Sequence, residues 1–117
     1  LEYELAQAQQ DALDRNQSEG KFRVYVIEFE GSLPEASASQ RCVYVGETSK
    51  TPELRFAQHK DPESKLANSD VRKYPCNLNT ALYRALPRPR TRRESRALEA
   101  RTAELLRRKG FFVIGGH

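Results

Sequence analysis

The chain has 117 residues, of which 38% are hydrophobic and 31% charged, and its formal net charge is +4. That is the size of one domain with a modest core, which excludes a large internal cofactor cavity. Two cysteines and two histidines exclude a disulfide framework or a ready-made zinc centre, and no apolar run approaches the roughly 18 residues of a membrane span.

Residues 1–19, "LEYELAQAQQDALDRNQSE", combine good helix formers with a thin apolar stripe of Leu5, Ala8, Ala12 and Leu13. They predict a weakly amphipathic lead-in helix or linker over 1–20, ahead of a domain over 21–117. The chain opens on Leu1 and holds no Met, which predicts a module of a longer protein with a further domain upstream. "KFRVYVIEFE" alternates Phe22, Val24 and Val26 with Tyr25, Ile27 and Phe29, the pattern of a strand buried on both faces. After the polar loop "GSLPEASASQ", "RCVYVG" reads as a second strand, so the two make an antiparallel hairpin with a long connection. Within it Cys42 reads as a small buried hydrophobe, consistent with the reducing cytoplasm.

In "TSKTPELRFAQHK", Thr51 is a helix N-cap, Pro52 the first helical residue and Glu53 its first-turn acid. Arg55 and His59 then lie one turn apart on one side of that helix. "DPESKLANSDVRKYPC" is a polar excursion with few anchors, and "NLNTALYRALP" fits helix or strand equally well. Beyond Pro87 and Pro89, "TRRESRALEARTAELLRRKG" is the clearest helix. Thr91 and Glu94 predict a capping box, Leu98, Thr102, Leu105 and Leu106 an inward stripe, and Gly110 a stop. "FFVIGG" closes the chain as a short apolar strand.

The charge is unevenly placed. Residues 84–109 hold ten basic and three acidic side chains, a net +7, against −3 for the rest. Nine of the ten are arginine, whose planar fork grips phosphate in two places at once. Arg84, Arg88, Arg90, Arg92, Arg93 and Arg96 are therefore candidate contacts to a phosphate-rich partner.

Each strand carries a tyrosine between valines, "RVYV" around Tyr25 and "VYVG" around Tyr44. With "LRFAQH" and "ALEARTAELL" following in order, the sequence from about residue 22 to 106 resembles the GIY-YIG nuclease family. The resemblance implies a small α/β (α+β) domain with a three-stranded, mostly antiparallel sheet flanked by helices, in which "TALYRAL" is the third strand. It implies hydrolysis of a DNA phosphodiester with one divalent cation, Mg²⁺ or Mn²⁺. By the same resemblance Glu99 is the metal ligand, Tyr44 the proton acceptor for water, Tyr25 its companion, and Arg55 and His59 the phosphate contacts.

The residue types suit that chemistry. Attack on a phosphodiester builds charge on the non-bridging oxygens, which a fixed cation such as Arg55 offsets. A hard cation keeps most of its waters, so one carboxylate can hold it. Besides a hairpin longer than the family's usual one, with 18 residues between Tyr25 and Tyr44, two features depart from the family pattern: Glu47 follows the second motif, free either to bind metal or to hold Arg55, and no asparagine follows the glutamate helix. Those departures keep open a nucleic-acid-binding module without the chemistry. A third reading is a protein-interaction domain using "LPRPRTRR" as a basic docking segment.

Overall fold

A computed structural model describes residues 20–116; the lead-in helix expected over residues 1–19 lies outside them. Strands β1 (Arg23–Phe29) and β2 (Cys42–Thr48) form the expected antiparallel hairpin, with Tyr25 opposite Gly46 and Ile27 opposite Tyr44. Side chains alternate across a strand, so Val24, Val26, Val43 and Val45 share one face and Tyr25, Ile27 and Tyr44 the other.

The sheet has four strands, not three, in the order β3–β1–β2–β4. Strand β3 (Cys76–Leu78) lies antiparallel on β1, while β4 (Phe112–Gly115) lies parallel to β2. The mixed α+β class is thus as expected, but the position of the third strand is not. "TALYRAL" begins as a 3₁₀ turn, Thr80–Leu82, whose first carbonyl accepts from the N–H groups of Tyr83 (3.1 Å) and Arg84 (2.8 Å). Its apolar residues explain the difference. Leu82, Tyr83 and Leu86 follow helix-like rather than alternating spacing, and all three pack against the valine cluster.

Helix α1 (Pro52–Lys60) starts as expected, Thr51 Oγ1 accepting from Leu54 N at 3.2 Å. The polar stretch after it is better anchored than its composition suggests. It holds a short helix α2 (Ser69–Lys73), capped by Asn68 and pinned by fully buried Val71. Helix α3 (Arg92–Arg108) is capped by Thr91 Oγ1 accepting from Glu94 N at 3.1 Å. Such a cap is worth about 1 kcal/mol. The Glu94 carboxylate turns back to Arg90 N instead of closing the expected box on Thr91.

The inward stripe of α3 is Ser95, Glu99, Thr102, Ala103 and Leu106. Leu105, expected inside, is 50% exposed, because the buried stripe passes through Thr102, Ala103 and Leu106 and leaves it beside exposed Glu104. Ala103 and Leu106 close over Val24, Val26, Val43, Val45 and Val113 on one face of the sheet. On the other face Val71 of α2 and Phe56 of α1 pack with Tyr25, Ile27, Phe29, Leu33 and Cys42. The result is three layers, one helix against two, around a central sheet. Among the described residues, no helix is long and apolar enough to cross a membrane.

Candidate active site

The site begins with a glycine. Gly46 faces Tyr25 across the hairpin, and a Cβ on it would lie 2.5 Å from Tyr25 Oη and 2.9 Å from the Tyr44 ring. Real side-chain carbons do not come that close, so the absent side chain is what lets the two phenols converge, their centroids 6.3 Å apart. Helix α1 then brings His59 onto them. Its ring is fully buried, stands edge-on to Tyr44 at 5.1 Å, and bonds Tyr25 Oη through Nε2 at 2.9 Å.

The other ring nitrogen fixes the direction of that bond. Asn68 N–H donates to His59 Nδ1 at 2.9 Å, so Nδ1 is an acceptor. Burial first, and the Arg55 charge second, lower the His59 pKa to about 4, which keeps the ring neutral at pH 7. A neutral imidazole that accepts at Nδ1 carries its proton on Nε2. His59 therefore donates to Tyr25, and Tyr25 holds its own proton toward Tyr44, a contact that raises Tyr25 and lowers Tyr44.

Both phenols sit above their ordinary pKa, burial being the largest cause in each. Arg55 pulls both down and Glu99 pushes both up, so the two charges act at one place from different helices. The Arg55 guanidinium is steadied by the Leu66 carbonyl at 2.7 Å and by Gln58 Oε1 at 3.4 Å, and it makes no ion pair with a described residue. Glu99 is only 7% exposed. It belongs to the inward stripe of α3 and not to the exposed face of that helix. Tyr25, Tyr44 and His59 thus meet directly from β1, β2 and α1, and the charges of Arg55 on α1 and Glu99 on α3 bear on the two phenols.

Glu47 takes neither expected role. Its carboxylate accepts from Ser95 Oγ at 2.6 Å and pairs with Arg92, an internal clamp between β2 and the start of α3. The reason is position: Ser95 heads the buried stripe of α3, which packs where the β2 backbone ends. Arg92 also lies 4.7 Å above the Phe22 ring, so this expected phosphate contact already has a structural partner on each side. Arg84, Arg90, Arg93 and Arg96 are exposed, and Arg88 is half-buried.

As a metal site the donor set is spare. Among the described residues no group of three or more His, Cys, Asp or Glu gathers. One buried carboxylate beside two phenols fits a hydrated hard cation and not a zinc-type cage. Sequence reading missed Ser95, Asn68 and the closeness of Gly46 to the phenols. Only Asn68 carried a signal, as the cap in "ANSD", its Oδ1 accepting from Asp70 N and Val71 N at 2.9 and 3.2 Å. Compared with known proteins, the chain matches no family model, no curated protein and no solved structure.

Proposed function

We propose that this domain is a GIY-YIG-type endonuclease that hydrolyses DNA phosphodiester bonds with one Mg²⁺ or Mn²⁺, as an intracellular module of a larger DNA-processing protein. The observation that carries the reading is the cluster that Gly46 makes room for, Tyr25 and Tyr44 against buried His59, with the charges of Arg55 and buried Glu99 bearing on both phenols. Glu99 would hold the cation, which supplies charge to the leaving oxygen and acidity to a bound water. Arg55 faces the non-bridging oxygens of the phosphate. Tyr44 is the proton acceptor: it is the less buried phenol, and its oxygen receives the Tyr25 hydrogen bond, which stabilises a phenolate there. His59 supports this by taking the acceptor side of Tyr25. Arg92 and Ser95 tie the Glu47 carboxylate to the start of α3, although its charge still reaches Tyr44.

One observation favours a second reading, a binding module without the chemistry. Burial first, and Glu99 behind it, hold both phenols above their ordinary pKa, which disfavours either as a base at neutral pH. Incubating the domain with labelled duplex, branched and single-stranded DNA, with and without magnesium, separates the two. The nuclease reading expects metal-dependent cuts in at least one substrate. Salt-sensitive binding with every strand intact supports the binding module instead.

A further inference from the structure

Away from the five site residues, a cleft of about 340 Å³ opens between the start of β1, the first turn of α1 and the Thr80–Arg88 segment. That volume is at the small end of the roughly 300–1,000 Å³ usual for small-ligand sites. Three guanidinium groups, of Arg23, Arg84 and Arg88, face one carboxylate, Glu53, on its walls. Arg23 and Arg84 form no ion pair with a described residue. Tyr83 also lines the wall, but its hydroxyl is buried and has no hydrogen-bond partner among the described residues. That hydroxyl has essentially no accessible surface, so it lies behind the lining and is not open to a ligand. Leu86 and Pro87 add an apolar wall beside the charges.

We infer that this cleft binds one nucleotide unit of a nucleic-acid strand, its phosphate gripped by Arg23 and Arg84, its sugar or base against Leu86 and Pro87. The ligand needs both parts: two guanidinium groups without ion-pair partners among the described residues call for an anion with several acceptor oxygens, and the apolar wall calls for more than a bare anion. A strand is favoured over a free nucleotide by continuity. Arg23 is two residues from Tyr25 on the same face of β1, about 6.6 Å along the strand, so a chain crossing the candidate active site reaches the cleft at a neighbouring phosphate. The identity of the ligand as a strand rests on the proposed function; the nucleotide chemistry of the cleft does not. Backbone order fits the role, since the Thr80 carbonyl holds the Arg84 N–H.

The test uses metal-free binding, so it is independent of cleavage. Short DNAs are prepared, each with one phosphate neutralised as a methylphosphonate, and binding is measured for wild type, Arg23→Gln, Arg84→Gln and Tyr83→Phe. At one position neutralisation weakens wild-type binding about tenfold or more, as loss of charged hydrogen bonds requires. The same substitution has little further effect on either arginine variant, whereas Tyr83→Phe, which removes a hydroxyl closed off from the cleft, keeps the wild-type response. Arg108→Ala, at the far end of α3, behaves as wild type. Because the wild-type scan alters only the DNA, a poorly folded variant does not remove the result. Losses spread evenly over all phosphates, or arginine effects that map to different phosphates, overturn the cleft even if the domain cuts DNA. If wild type ignores DNA yet binds a deoxynucleoside 5′-monophosphate through Arg84, the cleft stands with a free nucleotide as ligand and the nuclease reading falls.

Discussion

On the valine face of the sheet, Val24, Val26, Val43 and Val45 meet Ala103 and Leu106 as aliphatic carbon against aliphatic carbon. On the opposite face the same two strands present Tyr25, Tyr44 and His59, polar groups that must be matched to one another to be buried at all. The first face is non-directional and tolerates any filling of the right volume. The second is directional: Asn68 sets the His59 tautomer, His59 sets Tyr25, and Tyr25 is turned to Tyr44. Stability and site geometry are thus carried by alternate residues of one hairpin, which means they can be perturbed separately.

The largest expected effect on the polar face is catalytic. Arg55→Ala lowers DNA cleavage by about 10²–10³-fold, the usual cost of one transition-state charge partner, while the thermal melt stays near wild type because that guanidinium holds only a loop carbonyl and Gln58. Val43→Ala, on the valine face, does the reverse. It costs about 2–3 kcal/mol in urea unfolding, and the cleavage rate of the folded fraction is unchanged. A Val43→Ala domain that melts normally but no longer cuts would break the separation of the two faces.

Gly46→Ala sharpens it, since the added methyl meets the phenols and not the valine core. A loss of about 1–3 kcal/mol is expected, together with loss of activity beyond what the unfolded fraction explains. The smallest effect is a pH dependence. His59 has a folded pKa of about 4, below its ordinary 6.5, so the unfolded chain binds more protons between those values. Its contribution is complete above pH 6.5 and drains away as pH falls toward 4, by roughly 1–3 kcal/mol. Urea midpoints across that window show the slope, and His59→Gln flattens its share of it.

Alternation in "KFRVYVIEFE" and "RCVYVG" was enough to read the hairpin and both of its faces, because period 2 is a local property of a strand. The caps at Thr51 and Thr91 are equally local, and both hold. What escaped the sequence is non-local or very short. Strand β3 has three residues and α2 has five, too few for a period to show. The parallel pairing of β4 to β2 needs the α3 crossover to deliver it, and composition alone does not foretell such a pairing. Glu47 finds Arg92 and Ser95 more than forty residues away, so its two expected roles were drawn from sequence neighbours that lie elsewhere in space. The five site residues gather because each sits on an element whose local reading was sound.

The proposed nuclease gives the Arg55 guanidinium and the Glu99 carboxylate separate tasks at the two phenols, one toward the phosphate and one toward the cation. The decisive measurement is therefore the single-turnover cleavage rate of Glu99→Gln beside wild type, with DNA saturated by protein in magnesium. A wild type that cuts and an equally folded, DNA-binding Glu99→Gln that does not is the predicted result. Equal rates for the two proteins, or intact DNA with both, would contradict it.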